Sequence, residues 1–131
     1  MNLFDDQIID QKSFSYRDLL DRDVWLSFTP VFGSLTVVGA TTYVGRYRIV
    51  GRQLQCQVTF LAATSIASSA GTSYLTLPIT AKGIAGFGVM TNDTTNVAVG
   101  NCHLDVTNSM LYLPTQAASG NSFTLYFEYE I

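Results

Sequence analysis

The sequence predicts an all-β protein, an antiparallel β-sandwich or jelly roll with a short N-terminal arm and one short helix. Three observations lead there. From Trp25 onward, apolar residues recur with period two in short segments, as in half-buried strands. Gly, Pro, Asn and Ser break these segments at roughly the 8–12-residue rhythm of a two-sheet sandwich, giving about eight to ten strands. Charge is also segregated: the first 25 residues hold 9 of the 17 charged side chains, and the 106 that follow hold 8. A free domain carries about a quarter charged residues. So sparse a surface suits a module covered by neighbouring subunits. Residues 1–24 therefore read as an arm and 25–131 as the sandwich domain.

The elements follow in order. Residues 1–12 show neither period, and Leu3, Phe4, Ile8 and Ile9 stand as apolar islands among Asp and Gln, as in an arm that orders on a partner. Residues 13–24 hold the expected helix, with Ser15 and Asp18 resembling a capping box and Leu19 and Leu20 supplying a small apolar face. Residues 25–28 lead into Thr29-Pro30, where proline confines a strand to an edge or an end. In 42–50, Tyr43, Gly45, Tyr47 and Ile49 oppose Arg46 and Arg48. In 53–60, Leu54, Cys56, Val58 and Phe60 alternate with Gln53, Gln55, Gln57 and Thr59. Joined by Val50-Gly51-Arg52, the two segments predict a hairpin.

Residues 62–73 read as a small, polar loop, 74–79 as a strand ending near Pro78, and 84–90 as a Gly-spaced strand. A turn-rich loop over 91–96 precedes three short strands, 97–99, 103–107 and 110–113, the last two linked by Asn108-Ser109. After a loop over 114–121, Phe123, Leu125, Phe127 and Tyr129 alternate with Ser122, Thr124, Tyr126, Glu128 and Glu130. That last strand is expected at the centre of a sheet, because an apolar edge there invites aggregation.

Function is constrained mainly by exclusion. The net charge of −3 comes from six Asp against Lys12, Arg17 and Arg22 in the arm, and no basic stripe suggests nucleic acid. No apolar run approaches the ~20 residues of a membrane span, and no cationic start precedes an apolar segment, so a soluble product without a signal peptide is expected. Cys56 reads as a small buried hydrophobe, and Cys56 and Cys102 are expected reduced, although a disulfide stays open. His103 and Asp105 share a strand face but lack a second ligand or a nucleophile, so both read as structural. No Gly-x-Ser-x-Gly elbow occurs, and Glu128 and Glu130 read as solvated edge charges, not an opposed acid and base. The 83–88 stretch GIAGFG precedes strand pattern, where a phosphate cradle needs a helix. The Asn92-Asp93-Thr94 sequon matters only in a secreted eukaryotic protein. No catalytic residue, metal site or cofactor is expected.

Two places remain as contact candidates. Tyr126 points away from its core-facing neighbours. Arg46 and Arg48 repel each other unless they find carboxylates or carbonyls, which Glu128, Glu130 or an Asp-rich arm of a neighbouring copy can supply; an ordinary solvated face is the other reading. Arg46, Arg48, Tyr126 and Glu128 are thus the inter-subunit candidates.

The runs WLSFTPVFG, GRYRIVGRQLQCQVTF, YLTLPITA and FTLYFEYE resemble a β-sandwich module of bacteriophage virion proteins. Trp25, Phe28, Thr29, Pro30, Tyr47, Arg48, Ile49, Gly51, Leu77 and Pro78 carry the resemblance over about residues 25–131, with Val50 inserted between Ile and Gly. Such modules occur at tail-fibre tips and as small capsid proteins, commonly as homotrimers. The resemblance implies a non-enzymatic virion protein, made in the host cytoplasm. With a 24-residue arm and no fibre shaft ahead of the module, a homotrimeric capsid decoration (cement) protein is expected. Its arm residues Leu3, Phe4, Ile8, Ile9, Leu19 and Leu20 would contact the major capsid protein or another virion protein. The alternative is a tail-fibre or baseplate tip that binds host glycans through loops 62–73, 91–96 and 114–121.

Overall fold

The computed structural model describes residues 24–83 and 86–131. Residues 1–23, with all but the last position of the arm and of the expected helix over 13–24 and with Leu3, Phe4, Ile8, Ile9, Leu19 and Leu20, lie outside them. Within the described residues the protein is entirely β. In chain order the strands are β1 (Leu26–Phe28), β2 (Phe32–Gly33), β3 (Thr36–Val38), β4 (Thr42–Val50), β5 (Gln53–Leu61) and β6 (Ser65–Ser68). They continue as β7 (Tyr74–Thr76), β8 (Gly86–Asn92), β9 (Val97–Asp105), β10 (Met110–Tyr112), β11 (Gln116–Ser119) and β12 (Ser122–Glu130).

A nine-stranded antiparallel sheet has the order β1-β4-β5-β12-β8-β9-β10-β7-β2, and a three-stranded sheet the order β11-β6-β3. The long sheet curls back on itself. Its two outermost strands, β1 and β2, are separated by only Thr29-Pro30-Val31, and Phe32 of β2 lies 5.2 Å from Tyr43 of β4 and 5.3 Å from Phe60 of β5 between ring centroids. Curling of this kind lets the inner faces of its central strands share a common core.

The core is where the alternation placed it. Leu54, Cys56, Val58 and Phe60 of β5 and Phe123, Leu125, Phe127 and Tyr129 of β12 are all fully buried. Each large apolar side chain contributes roughly 1.5–3 kcal/mol. The register Leu125↔Val58, Phe127↔Cys56 stacks the two sets directly, and a one-residue slip would bring Tyr126 and Glu128 inward. As expected, β12 is central, between β5 and β8. The β4–β5 hairpin closes at Gly51-Arg52, with Gly51 at φ +64° in the position where a type II′ turn takes glycine.

Several segments depart from the sequence reading. The expected loop over 62–73 contains β6, and that over 114–121 contains β11. Both are runs of mostly small or polar residues in which Ile66 is the only large apolar side chain, too little to mark an alternation. Ser68 is buried because its hydroxyl donates to the Pro114 carbonyl at 2.6 Å. The separate strands expected at 97–99 and 103–107 form one strand, β9. Its alternation is broken at Gly100-Asn101, and a register shift opposite Met90/Thr91 absorbs the irregularity. Strand β8 runs on to Asn92, so the expected loop 91–96 shrinks to a turn over 93–96, while β7 stops at Thr76, before Pro78.

Candidate functional site

The outward face of β4-β5-β12-β8 gathers the four inter-subunit candidates. One cross-strand row runs Arg46↔Gln57↔Tyr126↔Val89 and the next runs Arg48↔Gln55↔Glu128↔Phe87. Side chains on one face of adjacent strands stand within reach of each other. Arg46 donates through Nε (2.9 Å) and Nη2 (2.6 Å) to Gln57 Oε1, and Arg48 Nε donates to Gln55 Oε1 at 2.5 Å. The carbonyl oxygens needed by this like-charged pair therefore come from two glutamines. Both guanidinium carbons also lie over the Trp25 ring, at 4.5 and 4.8 Å from its centroid.

Trp25 reaches this place because β1 pairs antiparallel with β4, in the register Leu26↔Tyr47 and Phe28↔Gly45. Gly45 makes the close approach possible. A Cβ there would fall 2.7 Å from Phe28 Cε1 and 2.8 Å from Pro30 Cγ. The Trp-x-x-Phe-Thr-Pro segment and the Tyr-Val-Gly-Arg-Tyr strand thus fit as a pair.

Glu128 and Glu130 are not edge charges, because β12 lies inside the sheet. The Tyr126 hydroxyl donates to Glu128 Oε2 at 2.7 Å, and this bond is the main reason the phenol pKa is raised. Glu130 lies instead at one end of the strand, where it lines an open hollow with Arg52, Lys82, Gly83 and Ile131. Around the Arg–Gln–Tyr–Glu patch stand exposed apolar side chains, Val44 at 60% and Phe87 at 54% of full exposure. Trp, Tyr and Arg with an apolar surround form the composition enriched at protein-interface hot spots.

The remaining candidates have structural partners. Asp105 accepts from the Asn108 backbone N–H (3.1 Å) and side-chain amide (3.0 Å), which hold its carboxyl below the usual range and fix the β9–β10 turn. His103 stacks on Tyr112 at 6.4 Å, and with Phe87 and Asn101 lines an open hollow of about 390 Å³. Asn92 is buried with its Oδ1 accepting from the Thr94 and Thr95 N–H groups, so it tightens the 93–96 turn. Cys56 and Cys102 are both free thiols. Burial pushes Cys102 up to about 12 and raises Cys56 further. Among the described residues no group of three His, Cys, Asp or Glu side chains could hold a metal ion, and no helix is long and apolar enough to cross a membrane.

The three loops named for ligand contact are partly neighbours. Ala70 N donates to Thr115 Oγ1 at 2.9 Å, linking the first to the third, and Asp93 and Thr94 bond to Ser122 just beyond the third. Trp25, Gln55 and Gln57 belong to the site without having been singled out. The outward row of glutamines in β5 was the available signal, but it has meaning only once β4 is laid beside it. The chain matches no protein-family model, no curated protein and no solved structure.

Proposed function

We propose that this chain is a non-enzymatic structural subunit of a bacteriophage particle, a homotrimeric capsid decoration (cement) protein held by its N-terminal arm. The observation that carries the reading is the outward patch of Trp25, Arg46, Arg48, Tyr126 and Glu128 beside exposed Val44 and Phe87, in a domain with very few charges elsewhere. Such a patch gains from being covered by protein. The virion assignment is supported by the resemblance of residues 25–131, and the partners are sister copies and the major capsid protein.

Burying Leu3, Phe4, Ile8 and Ile9 of the arm against a shell would contribute roughly 1.5–3 kcal/mol each, less the cost of ordering the chain. Three arms on one trimer act together, so modest affinity per arm suffices. The test is mass spectrometry of purified virions with location by electron microscopy, repeated with residues 1–12 deleted. The account expects a stoichiometric capsid component whose occupancy falls on deletion. Absence from virions, or undiminished occupancy, overturns it.

A second reading, a tail tip that binds host glycans, is favoured by the hollow lined by Phe87, Asn101 and His103. An exposed ring beside two hydrogen-bonding side chains suits a sugar. Binding on a glycan array that is lost on Phe87→Ala would establish it in place of the first.

A further inference from the structure

Resting on the second reading, in which the hollow at Phe87 takes a sugar, we propose that Tyr74, Tyr112, His103 and Phe87 form one stacking row for an uncharged linear glycan. The ligand would lie across β7, β10, β9 and β8, on the outward face of the sheet and not among the loops.

Strand register builds the row. Tyr74 lies opposite Tyr112, and Tyr112 opposite His103. Phe87 and His103 stand one position beyond the pair Gly88↔Cys102 and line the same hollow. All four side chains point outward, because Leu75, Leu111, Leu113 and Gly88 beside them are buried and Cys102 and Leu104 pack against the core. The Tyr112 and His103 rings are 25° from parallel with centroids 6.4 Å apart, and together they make a floor. Tyr74 stands at 69° to Tyr112 with centroids at 6.0 Å, as a wall at one end. Its ring is seated on Gly33, opposite it on β2, where any Cβ would overlap the ring. Phe87, more than half exposed, carries the floor onto β8.

The chemistry of the row identifies the ligand. Flat rings take the C–H face of a pyranose, and polar groups beside them fix its hydroxyls. Asn101, exposed two residues before His103 in the same hollow, offers an amide donor and acceptor, and both tyrosines carry hydroxyls. No Lys or Arg stands on β7, β8, β9 or β10. The one carboxylate on these strands, Asp105, is held by Asn108. An anionic polymer, whether a nucleic acid or a sulfated sugar, therefore meets no guanidinium or ammonium on them, whereas an uncharged glycan needs none. Neighbouring strands lie about 4.8 Å apart, close to the repeat of an extended glycan, so successive sugars can meet successive rings.

The test applies the full chain to an array of uncharged linear gluco-, manno-, galacto- and xylo-oligosaccharides, from disaccharide to hexasaccharide, beside sialylated and sulfated ones. Circular-dichroism melts confirm that each variant folds. Binding to uncharged chains should strengthen as they lengthen and change little with salt. Phe87→Leu and Tyr112→Leu keep apolar bulk but remove the ring, and each should weaken binding at least about tenfold. Tyr112→Phe keeps the ring and should keep most of the binding. Loss with Phe87→Leu but not with Tyr112→Leu overturns the row and leaves a sugar in the hollow alone. Preference for sialylated or sulfated chains overturns the uncharged ligand. A folded wild type that binds none of the sugars overturns this inference together with the second reading, and leaves the face to a protein partner.

Discussion

Gly45→Ala is the sharpest probe of how the outward face is built. Gly45 is buried on the inner side of β4, and an added Cβ would stand 2.7 and 2.9 Å from the Phe28 ring and 2.8 Å from Pro30 Cγ. All three distances are too short for a real contact. The Phe28 ring packs edge-on against Tyr47 at 5.8 Å and Pro30 is rigid, so neither yields freely. Overpacking of one methyl in such a place costs about 1–3 kcal/mol. For a chain of this length that lowers Tm by roughly 3–5 °C for each kcal/mol. Relief comes most cheaply by lifting β1 off β4, and the chain's only tryptophan, Trp25, directly precedes β1 and lies beneath Arg46 and Arg48. Differential scanning calorimetry should show the fall in Tm, and Trp25 emission should shift to the red in the folded state. A Tm within a degree of wild type and unchanged emission would refute the packing argument.

Other predictions concern the core and its titration. Tyr129 is fully buried, donates its hydroxyl to the Ile79 carbonyl (2.7 Å) and accepts from the Ile79 N–H (3.2 Å), so Tyr129→Phe should cost about 1–3 kcal/mol in chemical denaturation. Asp105→Ala should remove the anchor of the β9–β10 turn, seen as a lower denaturation midpoint. Burial raises the thiols of Cys56 and Cys102 from 9.0 and the phenol of Tyr129 from 10.0, and the bond to Glu128 raises Tyr126. For groups raised on folding, the stabilisation is complete below the unfolded values. It is lost above them, as the unfolded chain releases protons that the folded chain keeps. Stability should therefore be level to near pH 9 and fall beyond it, less steeply in Cys102→Ala, as followed by denaturant melts across that range.

The strands that carry strong alternation were legible in the sequence. In β4, β5 and β12 large apolar side chains alternate with Arg, Gln, Thr and Glu, so the face of each residue and the central place of β12 could be read without coordinates. Where the side chains are small, the signal vanishes. SIAS of β6 and QAAS of β11 pair with each other through backbone bonds, and a Ser is buried there by a hydrogen bond to a distant carbonyl. Of the site, Tyr126 was legible because it points against the apolar face of its strand. The arrangement of Arg48, Gln55 and Glu128 was not, because it depends on pairing β5 with a strand some 70 residues away in sequence, as in Gln55↔Glu128. The place of Trp25 depends likewise on the fold of β1 against β4.

The central claim is that sister copies cover a domain whose own surface is nearly without charge. Sedimentation velocity on the full chain, from dilute to concentrated solution and at two salt levels, tests it most directly. The account predicts a dominant species of three times the 14.3 kDa chain mass. A species of one chain mass at every concentration, clear and stable, would contradict it.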